Sequence, residues 1–363
     1  MKIFRNILFG TFVFFCLFCS CSGEADSGGS AALEKEEIEK ELENPDEDED
    51  EDETEDNELE NTENISEKAP SAPVFLYCKT VSENEIIFCF SQPVKVVSLY
   101  FSPKLNFEVV EEGKEVKVKL AESPGLGLKV EADLQVKDGH GNTVNKQVSF
   151  RARNNRVPEI QINELRTEYS KPKVEFIEFK MLSDGNLGTL RVFIAGNYKK
   201  PQVYEFAPVE VKAGEYVVLH LRKMDELCKD EYGDSLDESG GSDSCATARD
   251  FWVQGSSKLI HKTDAIYVLD QDDKVLDGIM IADTPSSSWS KAYFAEAAEL
   301  LHKNGVWKSP MGEVCSPAFA VNSSETTPTR SISRNEATGN THTSADWYVT
   351  KTSGVTPGHS NKP

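Results

Sequence analysis

The sequence predicts an all-β protein: two β-sandwich domains in tandem behind a disordered acidic tether, with one short helix in an insertion of the second domain. Three observations carry that prediction. Short apolar stretches recur with polar turns between them. Strict alternation appears where it can be tested, as in Val116-Lys117-Val118-Lys119-Leu120, which places one face inward and one in water. The formal net charge of −23 is concentrated in one place, with 19 acidic residues against Lys35 and Lys40 over residues 34–63.

At the N-terminus, Lys2 and Arg5 precede an apolar run over residues 7–18 that ends in Phe18-Cys19-Ser20-Cys21. The run is shorter than the roughly 20 residues a membrane-spanning helix needs. A positive flank with a short apolar core marks a signal peptide, which is excluded from fold reasoning. The segment resembles a bacterial lipoprotein signal peptide over residues 1–20, with small Ser20 before the cut and Cys21 as the lipid-bearing first mature residue. Phe18 stands where Leu is usual. Cys16 and Cys19 fit less well because Phe15 and Phe18 precede them. An uncleaved anchor, or cleavage without lipidation, are the competing readings. The resemblance implies an exported protein of the bacterial cell envelope, lipid-anchored through Cys21 at the outer membrane, the surface or the periplasmic face. Several acyl chains, at about 0.8 kcal/mol per buried methylene, anchor stably where one is marginal.

Residues 21–69 follow as lipidated cysteine and tether. A dense block of like charge repels itself and lacks the apolar surface that would offset ordering entropy, so disorder is expected. As a neutral coil the tether would span roughly 35–40 Å, and more when self-repelling. Cation or basic-partner binding is the functional alternative to a solvated spacer. From residue 70 onward the chain is only mildly acidic and lacks the basic excess that phosphate backbones require, so no nucleic-acid partner is expected.

Residues 70–156 read as one small β module. Strands are expected over residues 74–78, 86–90, 94–101, 116–120, 128–136 and 144–151, with a turn at Asp138-Gly139-His140-Gly141-Asn142. Strands at this spacing argue for a sandwich. The stretch from Ser82 through Ile86, Phe88, Phe90-Ser91 and Pro93-Val94, and the later Asp138 with Gly141-Asn142, resemble bacterial immunoglobulin-like domains. A calcium loop at 138–142 is the alternative to a plain turn. The turn is favoured because Gly and Asn supply positive φ and few carboxylates converge.

Val157-Pro158 marks a boundary, and residues 157–363 form the second module. Ile162-Asn163-Glu164, Glu175-Phe176-Ile177-Glu178, Gly214-Glu215-Tyr216-Val217-Val218-Leu219 and the strand over residues 264–270 occur in that order. Arg330 through Arg334, Asp346-Trp347 and Thr356-Pro357-Gly358 with Asn361 complete it. The series resembles the bacterial lamin-tail domain, which implies a second immunoglobulin-like sandwich. Phe176 stands where Trp is usual, and the segment over residues 188–193 is blurred. Insertions at 222–261 and 284–321 depart from the plain domain. The second holds the expected helix over residues 290–303, with Ala295, Ala298, Leu300 and Leu301 available to pack. Loop-end insertions are where binding surfaces are built. Glu164 and Glu178 read as structural, bonding backbone or Arg groups, and Trp347 as a core or corner aromatic. Arg334 could pair with Asp346 or Glu178.

Beyond the signal region the cysteines are Cys78, Cys89, Cys228, Cys245 and Cys315. Cys78 and Cys89 flank an expected hairpin, and a bridge is possible if their Cβ vectors converge. Cys228 and Cys245 bracket a polar loop whose closure would contribute roughly 3 kcal/mol; Cys315 is left over. None has zinc-site spacing. The six histidines form no metal motif, and no nucleophile elbow or phosphate loop occurs. Asp225, Glu226, Asp230, Glu231, Asp234, Asp237, Glu238 and Asp243 depart from calcium-loop spacing and read as a solvated charged loop. No catalytic residue, metal or cofactor is expected. The sequence therefore points to a lipid-anchored protein that works by non-catalytic binding or adhesion, toward a protein or glycan envelope partner. The alternatives are an accessory or targeting module for a secreted hydrolase or nuclease, and a structural spacer.

Overall fold

The computed structural model describes residues 71–363, so the signal peptide, Cys21 and the acidic tether lie outside the described residues. The described chain is built of strands with a single α-helix. Two β-sandwiches follow one another in sequence.

In the first sandwich, β1 (Phe75–Ser82), β2 (Glu85–Ser102), β3 (Phe107–Glu111), β4 (Gly113–Leu120), β5 (Lys129–Lys137) and β6 (Thr143–Arg151) are all paired antiparallel. The strands expected over residues 86–90 and 94–101 are one strand, β2, that changes partners along its length. Its first half pairs with β1 and β4, its second with β5. The changeover falls where the β4 register jumps from Cys89–Glu115 to Val94–Gly113, around Pro93. Proline cannot donate to a ladder and sits at such irregularities. A strand that switches sheets at a bend makes the corner of a sandwich. Ile86, Phe88 and Phe90 alternate inward to meet Val116, Val118, Leu134 and Val148 in a closed core. The turn at 138–142 forms as expected. Oδ1 of Asp138 accepts the amides of His140 and Asn142, both at 2.9 Å, and Oδ2 accepts the Asn142 and Gln92 side chains. That carboxylate is fully engaged in shaping the turn.

The second sandwich has a five-stranded and a six-stranded sheet. The six-stranded sheet runs β14 (Arg249–Trp252), β13 (Tyr216–His220), β8 (Phe176–Met181), β7 (Ile160–Arg166), β18 (Ile332–Arg334), β19 (Trp347–Val349). The five-stranded sheet runs β11 (Gln202–Glu205), β10 (Arg191–Ile194), β15 (Asp264–Leu269), β16 (Val275–Ala282), β17 (Val321–Asn322). A short pair, β9 (Gly185–Asn186) with β12 (Glu210–Val211), closes one end. Ile162, Ile177, Phe179, Val217 and Leu219 from one sheet pack on Val192, Ile266, Val268, Ile279 and Ile281 from the other.

Both insertions become part of the sandwich. The first contributes β14, parallel to β13 at the sheet edge. The second contributes β17, parallel to β16, and the helix α1 (Ala292–Lys303). Helix α1 lies on the face of β15 and β16 turned away from the core. Its buried residues are Phe294, Ala297, Ala298 and Leu301, whereas the expected Ala295 and Leu300 are only half-buried. Gly278 permits the approach, because a Cβ there would stand 2.6 Å from a Leu301 methyl.

Neither expected disulfide is present; all five described cysteines are thiols. Cys78 stands opposite Phe88 and Cys89 opposite Tyr77, one register step apart. Successive side chains alternate faces, so the two thiols project from opposite sides of the sheet. Cys228 packs with Trp252 and Val174, whereas the Cys245 thiol meets Thr247 and the Pro357 carbonyl.

Two outcomes follow. Leu301→Ala empties the helix–sheet contact and should cost about 2–5 kcal/mol in urea unfolding. Asp264, at the start of β15, is buried, and burial pushes its carboxyl up to about 7 despite three backbone amides from Gly196, His261 and Ala265. A carboxyl raised in the folded state binds its proton more tightly there than in the unfolded chain. Its favourable contribution is complete below the unfolded value near 3.8 and is lost as pH rises through about 7. Stability measured from pH 4 to 8 should therefore fall with pH less steeply in Asp264→Asn than in the parent.

Candidate functional site

Glu164, Glu178, Ser333, Thr356, Gly358 and Asn361, scattered over some two hundred positions, meet on the outer face of the six-stranded sheet. Register places Glu164 on β7 opposite Glu178 on β8 and Ser333 on β18. Both glutamates have no exposed surface. Glu164 accepts hydrogen bonds from the hydroxyls of Ser331 and Ser333 and from the Thr356 amide at 3.1 Å. Glu178 accepts from the Asn163 side chain at 2.8 Å and the Gly358 amide at 2.6 Å. Asn361 donates through its side chain to the carbonyls of Asn163 and Arg334, each at 3.0 Å. The segment from Thr356 to Asn361 is thus fastened across the sheet by the carboxyls beneath it. Gly358 is required at this crossing: its φ is +74° and a Cβ would lie 2.6 Å from both Cys245 Sγ and Thr247 Oγ1.

Burial raises the Glu164 carboxyl, and raises Glu178 well above its ordinary value with the Glu164 charge adding to it. Glu336 beside them goes the other way. Burial opposes its ionisation, but bonds from Lys180, the Asn361 amide and the Asn163 side chain prevail and hold it below the usual range. Arg334 pairs with neither residue expected of it. It lies between Asp277, at 3.1 Å, and the Ile162 carbonyl, with its guanidinium 4.4 Å from the Trp347 ring centre. The reason is the sandwich itself: Asp277 on the opposing sheet faces β7 and also accepts the Ile162 amide at 2.7 Å.

The acidic insertion is a solvated loop only in part. Asp225, Glu226, Asp234, Asp237 and Glu238 are exposed, as expected, but Asp230, Glu231 and Asp243 turn inward. Glu231 has no exposed surface and accepts the Ser239 and Asp250 amides. Asp230 accepts the Trp252 amide and the hydroxyls of Tyr204 and Tyr232. Asp243 holds Arg166 at 2.6 Å and the Val174 amide. Buried acids, and not a disulfide, close this loop. Among the described residues, no cluster of His, Cys, Asp and Glu is arranged to hold a metal ion.

One arrangement has the elements of a nucleophile and base. His220 Nε2 lies 2.8 Å from Asp250 Oδ1, and Asp250 Oδ2 accepts the Cys245 amide. The imidazole is 1% exposed and stacked on Trp252 at 3.8 Å. The Cys245 thiol is engaged with Thr247 and the Pro357 carbonyl, not with the imidazole. A base must be within hydrogen-bond reach of the proton it removes, and the His220 imidazole is bonded to Asp250, not to the Cys245 thiol.

A different place is open to solvent. The junction over residues 152–159 clamps the two sandwiches together. Asn154, 1% exposed, donates to the carbonyls of Asn186 and Gly188 at 2.8 and 2.7 Å, and its backbone exchanges two bonds with Gln271. Gly127 approaches Gly188 so closely that a Cβ would stand 2.8 Å from its Cα. Beside this clamp lies a cleft of about 410 Å³ with walls from both modules. Its cations are Lys79, Lys129, Arg151, Arg153 and Arg191; its carboxylates are Glu205 and Asp272. Arg151 pairs with Glu205 and Arg153 with Asp272, each pair crossing the junction. Cys78 also lines the cleft, its thiol pushed up to about 12 by burial. Sequence reading missed this site because its parts come from five strands and three loops. Arg151-Ala152-Arg153 at the end of β6 was the one local signal.

Residues 158–349 match the family model described as TP_1001_2nd, protein second domain. That span opens at the junction and closes at the end of β19, so the Thr356–Asn361 latch lies beyond it. An "Uncharacterized protein" of Treponema pallidum (strain Nichols) is 27% identical over 242 residues, covering 64% of this chain. The chain spans 61% of the length of that relative.

Gly358→Val should lift the latch and lower stability by about 1–3 kcal/mol, with faster amide exchange at Thr356 and Asn361. An unchanged urea midpoint would show that the segment is not held as described.

Proposed function

The chain belongs to the TP_1001_2nd family, and from that premise we propose that it is a lipid-anchored envelope protein displaying two β-sandwich modules for non-catalytic binding. The observation that carries this reading is the use made of the reactive groups. Glu164, Glu178, Asp230, Glu231 and Asp243 are each engaged with protein donors in holding segments down. His220 is sealed beneath Trp252. Of the concavities among the described residues, the inter-module cleft gathers five cationic side chains facing solvent.

The anchor rests on the N-terminal sequence, with Cys21 as the acylated residue and the acidic stretch after it as a stand-off. We read the first module as immunoglobulin-like and the second as lamin-tail-like. The docking of Thr356-Pro357-Gly358 and Asn361 on Glu164 and Glu178 supports the second assignment, since it gives those motif residues one joint role. The partner is a protein or glycan of the envelope.

Metabolic labelling with palmitate should mark the protein, and Cys21→Ala should abolish the label. Crosslinking on intact cells should then capture a defined partner with the parent and less of it with Cys21→Ala. Hydrolysis of nucleic acid, peptide or glycan that is lost on changing acids within 222–261 would overturn the non-catalytic reading. Labelling unchanged in Cys21→Ala would overturn the anchor.

A further inference from the structure

We propose that the cleft between the two sandwiches binds a small, multiply charged oxyanion: a phosphorylated or polycarboxylated ligand held by Lys79, Lys129 and the arginines of the junction. The inference deepens the binding function proposed above and rests on it.

Charge is the first argument. In a chain of net charge −23, five of the seven charged side chains lining this cleft are cationic. A concave site with an excess of one sign concentrates field and draws counter-ions inward. The overall acidity of the molecule works against long polyanions and leaves small anions as the suited ligands.

Preorganisation is the second. The acid partners of the arginines, of which Glu205 and Asp272 also line the cleft, hold each guanidinium in place. Arg151 is fixed by Glu205 and the Gly127 carbonyl at 3.1 Å, and Arg153 by Asp272, also at 3.1 Å. Arg191 is held by the Asp270 carbonyl and by Asp273, whose side chain is 77% exposed. A guanidinium carries five donors in a rigid fork suited to carboxylate and phosphate oxygens, so one acid partner does not exhaust it. The lysines are freer still. The Lys79 ammonium has no ion pair or hydrogen bond among the described residues, and its charge acts on Asp272 across the cleft. Lys129 meets Glu131 at 3.2 Å with both side chains in water, a pairing worth little.

A buried hydroxyl is the third. Thr189 lines the cleft and is 5% exposed, yet its Oγ1 has no hydrogen-bond partner. Its φ of +74° is an outlier for a β-branched residue. An unpaired buried hydroxyl costs free energy until something bonds it, and a ligand oxygen that displaces the covering wall would do so. Phe150 adds an apolar surface for a carbon skeleton. The volume, about 410 Å³, is within the range of small-ligand sites.

The test is calorimetric titration of the full-length protein with inorganic pyrophosphate and, separately, with citrate. One or both should bind saturably at a single site, weakened by salt. Pyrophosphate alone would assign a phosphorylated ligand, citrate alone a carboxylated one, and both a site that reads charge and size. Lys79→Ala and Lys129→Ala should each raise Kd about tenfold. Lys308→Ala and Lys351→Ala, exposed and outside the cleft, should leave it unchanged. Thr189→Val, which keeps the shape and removes the hydroxyl, should fold at least as well and bind more weakly. Absence of saturable binding by either anion, or equal weakening by the control lysines, would overturn the proposal. If the anions fail while a partner still crosslinks on cells, the cleft assignment falls and the display function stands. If the anions bind and no partner is captured, the reverse holds.

Discussion

Two carboxyl groups facing each other across β7 and β8, with no access to water, organise the second sandwich. Glu164 and Glu178 are neighbours of like charge in a buried place, the arrangement that most disfavours ionisation. Unsatisfied, they would be a heavy liability. They are satisfied by the hydroxyls of β18 and by amides of the C-terminal segment. The need to bond these two groups therefore accounts for the path of the chain after β19, for Thr356 and Gly358, and for the approach of Cys245 over the glycine. A single pair of side chains ties together four regions of sequence.

The same logic explains the insertions. A six-stranded sheet with Phe176, Val218 and Trp252 on its outer face would expose a large apolar surface if left bare. The loop after β13 covers it, and Asp230, Glu231 and Asp243 find backbone amides, tyrosine hydroxyls and Arg166 as they turn inward. Across the molecule, α1 covers the outer face of β15 and β16 through Leu301 over Gly278. Residues that looked like additions available for binding are therefore cover. The cationic cleft arises where the two sandwiches are clamped at Asn154, Gly127 and Gly188.

Much of the fold was legible locally. The alternation of Val116 to Leu120, the turn around Asp138 and the helix of the second insertion all follow from short-range chemistry, and the structure has them near the expected positions. The errors have one source. Whether Cys78 and Cys89 could bridge depended on register, and a single step sends them to opposite faces. Whether Asp230, Glu231 and Asp243 met water depended on what they were packed against. Arg334 turned to Asp277 because the opposing sheet brought that carboxylate within 3.1 Å.

By itself the sequence determined the all-β character, the succession of two sandwiches, the helix and the unequal distribution of charge, because periodicity, turn residues and composition act over a few neighbouring positions. Only the tertiary structure decided that β2 spans two sheets, that the acidic insertion is fastened inward, that the cysteines stay apart, and that five cations meet in one cleft. Those outcomes depend on residues far apart in the chain becoming neighbours, and the packing of one module against another places them there.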